Sequence, residues 1–357
     1  IQTAFDAKAE EVVEVKPGHA LIISRNGNTN LEKITEPGER AACSFERIYF
    51  SRGNDKDIYE ERKALGEGVV SQVLEAVEHD LDNTVVSFIP NTAEVCFYGL
   101  VKGLEDKLNR SKIERIKGLG ANPTAEEIES ILGERARVEK VTIKDAKLRT
   151  FISEDATRGD LVAHVYDIAY GTIKPGLDNL VVIDDSIVRG TTLKKSILRI
   201  LDRLNPKRIV VASSAPQIRY PDCYGIDMAK MGDFIAFQAA VALLVERGMG
   251  HVLDETYEAC LKELEKPLSN DIKNPVASIY EPFSADEISD KISELLTPVG
   301  MAAEVKIIFQ SIEGLHKACP NHTGDWYFTG NYPTPGGRRV VNKAFVYFME
   351  GRTDRAY

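Results

Sequence analysis

The sequence predicts an α/β fold built on a parallel sheet, and three observations carry that expectation. Leu180-Val181-Val182-Ile183 is an uninterrupted aliphatic run, the pattern of a strand covered on both faces. After a short loop, Leu193, Ile197, Ile200, Leu201 and Leu204 recur at helical spacing until Pro206 ends the run. Lys207-Arg208 then leads into a second apolar run, Ile209-Val210-Val211-Ala212, which completes a βαβ unit. Open α/β sheets bind ligands beyond the carboxyl ends of their strands. The segment Asp184-Asp185-Ser186-Ile187-Val188-Arg189-Gly190-Thr191-Thr192 falls at that point.

The order of groups in this segment suits a phosphorylated sugar. Backbone N–H groups of a tight loop that opens a helix bind phosphate without needing a lysine. Ser186, Thr191 and Thr192 add hydroxyl donors. Asp184 and Asp185, one step upstream, offer acceptors for the vicinal hydroxyls of a ribose, directly or through Mg²⁺. An Asp-Asp pair alone marks only a strand end meeting solvent. The order aliphatic run, acidic pair, hydroxyl-glycine loop and helix is what carries the reading.

Composition bounds the alternatives. The chain has 357 residues, 43% of them hydrophobic and 28% charged, ordinary for a globular protein with one large or two average domains. A net charge of −10 argues against a chain-wide nucleic-acid surface. No apolar run approaches a membrane span and no signal-peptide pattern is present. Five cysteines, at 43, 96, 223, 260 and 319, form no CxxC pair, which fits a reduced, cytoplasmic protein. His316, Cys319 and His322 lack a fourth ligand and are not read as a zinc site. The chain opens on Ile1 without a Met and is expected to be a fragment or a processed product.

In chain order, residues 1 to about 50 read as extended. Lys16-Pro17-Gly18 is a turn, Ala20-Leu21-Ile22-Ile23 an apolar run, Asn26-Gly27 a hairpin signal, and residues 42–50 a further strand. Tyr59 to His79 is expected to be helical, with Leu65, Val69, Val70, Val73, Leu74 and Val77 inward. Thr84 to Pro90 reads as a strand ending in Asn91-Thr92-Ala93-Glu94, followed by a helix to about Leu108. Thr124-Ala125-Glu126-Glu127 and Ser284-Ala285-Asp286-Glu287 are capping boxes that open helices. Further helices are expected over 231–246 and 253–264.

The segment 182–192 resembles the phosphoribosyl pyrophosphate (PRPP) signature of type I phosphoribosyltransferases, in the wording used by glutamine PRPP amidotransferases. Phe45-Glu46-Arg47-Ile48-Tyr49-Phe50-Ser51-Arg52, Arg149-Thr150-Phe151-Ile152, Ala215-Pro216-Gln217-Ile218-Arg219-Tyr220-Pro221, Tyr224-Gly225-Ile226-Asp227-Met228 and Tyr327-Phe328-Thr329-Gly330 are similar to the same family. The resemblance spans roughly residues 10–340. It implies a type I phosphoribosyltransferase fold, a twisted parallel sheet with helices on both faces, with a β-rich N-terminal lead-in and helical C-terminal additions. Residues 1–50 would be a lead-in or hood segment following an absent glutaminase domain. Residues 51–270 would form the phosphoribosyltransferase domain, and residues 271–357 a helical and irregular extension.

The resemblance also implies an activity, the displacement of pyrophosphate from PRPP by ammonia, drawn from glutamine in the full-length enzyme, to give 5-phosphoribosylamine. That is the first committed step of purine synthesis. Asp184 and Asp185 would hold the ribose hydroxyls and Mg²⁺, and the loop 186–192, comprising Ser186, Ile187, Val188, Arg189, Gly190, Thr191 and Thr192, the 5-phosphate. Asn91, Thr92 and Arg149 would receive the leaving group. Purine nucleotide inhibitors and a homo-oligomer are implied as partners, nucleic acid and membrane are not, and glutaminase activity is not expected of this chain alone. Two departures are visible. Ala93 stands where the family commonly has Ser, and the basic run expected downstream of Arg149 is replaced by Leu161 to Asp167, with His164 its one cation. At the positions of a Cys-x-x-Cys in iron–sulfur members stand Gly324 and Tyr327, so no iron–sulfur cluster is expected. A non-catalytic PRPP- or nucleotide-binding regulator is the alternative.

Overall fold

The computed structural model describes residues 6, 8, 12–120, 122–144, 166–223 and 228–356. They fall into two units, residues 1–42 and 43–357. In the first, β1 (His19–Ile23) and β2 (Thr29–Lys33) pair antiparallel. The turn between them places Gly27 at φ +86°, a conformation that glycine adopts without steric cost.

The second unit is organised by a five-stranded sheet in the order β4-β3-β7-β8-β9, every pair parallel. Its strands are β3 (Thr84–Phe88), β4 (Arg137–Val138), β7 (Asn179–Asp184), β8 (Arg208–Ser213) and β9 (Glu304–Phe309). Two short strands, β5 (Thr142–Lys144) and β6 (Tyr166–Ile168), pair antiparallel beside it in sequence. Leu180 to Ile183 and Ile209 to Ala212 are wholly buried, as their unbroken aliphatic runs require. The register sets Phe88 opposite Ile183, Ile183 opposite Ala212, and Ala212 opposite Ile308. The carboxyl ends of four strands therefore lie level along one edge.

Helices follow the expected caps. Asp55 accepts from the amides of Asp57 and Ile58 to open Lys56–Gly68, and complete capping boxes open Ala125–Gly133 and Ala285–Leu296. Lys56–Gly68 lies tightly on Glu94–Gly118. A Cβ at Gly66 would collide with the Cys96 carbonyl, and one at Gly99 with that of Lys63. Among the described residues, no helix is long and apolar enough to cross a membrane.

Three expectations change in detail. The predicted helix over Tyr59–His79 breaks at Val69 into Lys56–Gly68 and Val70–Ala76. The helix expected to end near Leu108 runs to Gly118, because its polar second half is braced: Lys112 donates to the Glu134 carbonyl and Arg115 pairs with Glu134 at 2.6 Å. Residues 42–50 are not a strand, since Glu46–Phe50 winds as a π-helical turn. Phe45 and Ile48, three residues apart, are both buried, and Phe45 packs against Phe50, Tyr327 and Phe328. Packing at helical spacing overrides the β-prone composition.

The opposite edge of the sheet is tied by charge. Arg137 holds Asp178 in a two-pronged fork, Nη1–Oδ1 2.7 Å and Nη2–Oδ2 2.8 Å, and the Lys174 amide donates to the same carboxylate at 2.7 Å. Burial by itself would raise the Asp178 carboxyl, but the Arg137 fork and the amide outweigh it and hold it below its usual value. A depressed carboxyl contributes stability above its unfolded pKa and loses it as pH falls through the folded one. Asp178→Ala is expected to cost about 3 kcal/mol at neutral pH, the lower end for breaking a buried pair. Its cost should shrink below about pH 4. Denaturant midpoints across pH check this; a pH-independent cost contradicts it.

Candidate functional site

Asp184 ends β7 because the ladder runs out there. It is paired with Ser213, and beyond it Ser214 takes over: its amide donates to the Asp184 carbonyl at 2.9 Å and its hydroxyl to the Asp185 carbonyl at 3.1 Å. The Asp185 amide turns back onto Asp184 Oδ1 at 3.0 Å, and Ser186 Oγ donates to Asp185 Oδ1 at 3.2 Å. One strand over, the Ile89 amide donates to the Ile183 carbonyl at 2.9 Å, and the Pro90–Asn91 peptide that follows is cis. Part-buried Thr92 favours the ionised form of Asp185. The two loops that the sequence singled out, 89–93 and 184–192, thereby leave neighbouring paired strands side by side.

The remainder of the loop divides in two. Ile187 is buried in the core, the Val188 carbonyl accepts from the Ile235 amide at 2.9 Å, and Arg189 Nε pairs with Asp233 Oδ2 at 3.2 Å. These contacts fix one side of the loop. Gly190, at φ +66°, turns the chain close to the side chain of Leu296, 2.6 Å from where a Cβ would stand. Its carbonyl accepts from the Lys194 amide at 2.9 Å, and Lys194 Nζ donates to the Leu295 carbonyl at 2.6 Å. Thr191 and Thr192 are left exposed. Asn91 is exposed and Thr92 part-buried. Arg149 lies outside the described residues, as do Thr150 to Ile152 and His164.

Asp184 and Asp185 are part-buried, and neither makes an ion pair among the described residues. Burial, and then the neighbouring Asp185 charge, pushes the Asp184 carboxyl well above its usual range. Asp185 is raised by burial, opposed by hydrogen bonds from Thr92 and Ser186 and by the Arg62 charge. Sequence reasoning assigned no role to three residues found here. Ser214 bonds both acidic residues through the backbone. Tyr49 has its phenol raised by burial and by the charges of Asp185 and Asp184. Buried Arg62 donates to the carbonyls of Arg47 (3.0 Å) and Ser51 (2.7 Å), holding the turn that carries Tyr49. Tyr49 lies inside a motif already matched to the family, so a signal for it existed; Arg62 had none.

The acidic pair fits a divalent cation. Two adjacent carboxylates without a protein counter-ion suit Mg²⁺, which takes one or two carboxylates and completes its shell from phosphates and water. Among the described residues, no group of three or more His, Cys, Asp or Glu could hold a metal by itself. A four-thiolate cluster does not fit the other locus. Cys43 bridges to Gly324, which has no side chain, and the Tyr327 hydroxyl donates to Asp222 at 3.0 Å. In the tail, His316 faces Asp325 at 3.1 Å and burial pushes the Cys319 thiol up to about 12.

A carboxyl with a raised folded pKa contributes stability below its unfolded pKa and loses it as pH rises through the folded value. The ligand-free chain should therefore be less stable at neutral pH than a variant carrying both Asp184→Asn and Asp185→Asn. A gain of roughly 1–2 kcal/mol is expected at pH 7, shrinking toward pH 4. Thermal unfolding of the two proteins decides it, and a less stable variant at pH 7 contradicts it.

No family model matches the chain. Amidophosphoribosyltransferases match it by sequence. That of Pseudomonas aeruginosa is 28% identical over 228 residues, covering 62% of this chain and 39% of the relative. That of Escherichia coli is 29% identical over 229 residues, covering 62% and 39%. That of Saccharomyces cerevisiae is 26% identical over 259 residues, covering 69% and 44%. The chain spans about two fifths of the length of these relatives. In fold it is similar to the glutamine PRPP amidotransferase of B. subtilis solved with ADP and GMP, with a TM-score of 0.53 at 24% identity. That match covers 90% of this chain and 53% of the other. A structure described as the allosteric regulatory enzyme of purine biosynthesis superposes equally well, with a TM-score of 0.53. The chain is thus similar in sequence to amidophosphoribosyltransferases and in fold to a PRPP amidotransferase.

Proposed function

We propose that this relative of the amidophosphoribosyltransferases binds PRPP at the carboxyl edge of its sheet and displaces pyrophosphate with ammonia, giving 5-phosphoribosylamine for purine synthesis. The observation that carries this reading is that the loops 89–93 and 184–192 leave adjacent parallel strands, joined by the Ile89 amide on the Ile183 carbonyl at 2.9 Å. It sets an acidic pair between two groups of donors, as a sugar carrying phosphate at one end and pyrophosphate at the other requires.

The exposed Thr191 and Thr192, with the amides of the 186–192 loop, take the 5-phosphate. Asp184 and Asp185 accept from the ribose hydroxyls and, once ionised, steady positive charge developing at C1. Asn91 and Thr92 lie where the leaving pyrophosphate would be received, and the resemblance adds Arg149. Mg²⁺ would be held by Asp184, Asp185 and phosphate oxygens, where it neutralises pyrophosphate charge. The protein's work is positioning, and no covalent step falls to any side chain. In the full-length protein ammonia would come from a glutaminase domain. Purine nucleotide inhibitors, a homo-oligomer and a cytoplasmic location belong to the same reading.

One observation favours a second reading. Ala93 is buried at the helix start and gives no side-chain cap, so this loop has lost a hydroxyl that the family commonly supplies. A PRPP- or nucleotide-binding regulator would tolerate that loss. Ammonium-dependent release of pyrophosphate from Mg²⁺–PRPP, with no glutaminase needed, decides between them. Turnover supports the enzyme, and tight binding without release supports the regulator.

Because both carboxyls are raised, PRPP affinity should fall as pH drops through their titration, the opposite direction to their effect on stability. Asp184→Asn combined with Asp185→Asn should weaken PRPP binding roughly 100-fold or more at pH 7.5. Calorimetric titration measures this, and unchanged affinity removes the acidic pair from the site.

A further inference from the structure

Arg219 lies on the loop after β8, and its backbone is fixed from two sides. The amides of Arg219 and Tyr220 donate to the Tyr327 carbonyl at 2.8 and 3.0 Å, and the Tyr280 hydroxyl donates to the Arg219 carbonyl at 2.7 Å. Its guanidinium lies over the Tyr280 ring, 5.1 Å from the centroid. Nε and Nη2 both donate to Gln217 Oε1, at 3.1 and 2.7 Å. Gln217 is itself oriented, because its Nε2 donates to the Ala285 carbonyl at 2.7 Å and to Ser289 Oγ at 2.8 Å. Arg219 is thus aimed by a buried amide that offers a dipole and no charge.

Three other part-buried arginines meet carboxylates: Arg47 with Glu61, Arg137 with Asp178, Arg208 with Glu78 and Glu304. Arg62, Arg338 and Arg339 spend donors on backbone carbonyls. Arg219 does neither. Among the described residues no carboxylate stands at ion-pair distance, and Nη1 makes no hydrogen bond. Burial weakens its hold on the proton, against the pull of the Tyr280 and Tyr220 phenols. Among the described residues, neither Asp184 nor Asp185 pairs with it. A desolvated charge without a partner is costly, and a planar guanidinium locked along one edge presents its other edge to an oxyanion.

We propose that Arg219 is the anchor of a second anion site, distinct from the 184–192 loop, that takes a carboxylate or phosphate oxyanion on its free Nη1 edge. The site stands whether or not the chain turns over PRPP.

The test has two arms, and both must succeed. Crystals of the wild-type chain soaked in sodium selenate should show anomalous selenium within hydrogen-bond distance of Arg219 Nη1, besides any ion on the 186–192 loop. In solution, inorganic phosphate and acetate are titrated separately against thermal unfolding. At least one should give a saturable rise that Arg219→Gln weakens roughly 10- to 100-fold and that Arg219→Lys partly keeps. The anion that responds to Arg219→Gln identifies the source as phosphate or carboxylate. No selenium at Nη1 overturns the proposal, and so does an identical response of wild type and Arg219→Gln to both anions. Should Arg219→Gln fail to fold, the selenate density alone decides.

Discussion

The carboxyl end of β7 imposes the constraint on which the rest depends. A strand covered on both faces delivers two adjacent carboxylates into a part-buried position, where neither makes an ion pair among the described residues. Left ligand-free, that arrangement is unfavourable, and both carboxyls respond by resisting ionisation. The surrounding contacts hold the pair in place without neutralising it. Ser214 binds the backbone of both residues, Ser186 hydrogen-bonds Asp185, and Gly190 turns the loop against Leu296. Stability spent at the strand end would be recovered on binding the proposed ligand, which supplies hydroxyl donors and positive charge.

The sheet makes this possible through its register. Four parallel strands end level, so loops far apart in sequence, 89–93 and 184–192, fall side by side. The helix Ala285–Leu296 braces the same edge at both of its ends. Its first turn accepts from Gln217, which aims Arg219, and its Leu295 carbonyl accepts from Lys194, which follows the 186–192 loop. Residues late in the chain thereby take part in shaping the edge, and β9, also late, completes the sheet.

Much of this was legible in the amino-acid order. The runs 180–183 and 209–212 are aliphatic without interruption because both faces are buried, and the acidic pair with its hydroxyl-glycine loop stands at the carboxyl edge of the sheet, where the pattern put it. Capping boxes at Thr124 and Ser284 announced two helix starts. Local pattern failed where tertiary packing decides. Phe45 and Ile48 look β-prone yet pack at helical spacing, and the Glu94–Gly118 helix outlasts its apolar stripe because Glu134 holds its charged end. Arg62 and Ser214 carry no signature, since what matters is the carbonyl or amide that each one meets.

The most direct measurement is a structure of the chain with Mg²⁺ and a non-hydrolysable PRPP analogue. The ribose hydroxyls should lie on Asp184 and Asp185, directly or through the metal, with the 5-phosphate on the amides and hydroxyls of 190–192. A ligand bound elsewhere, or a ribose turned away from both carboxylates, would contradict the central claim.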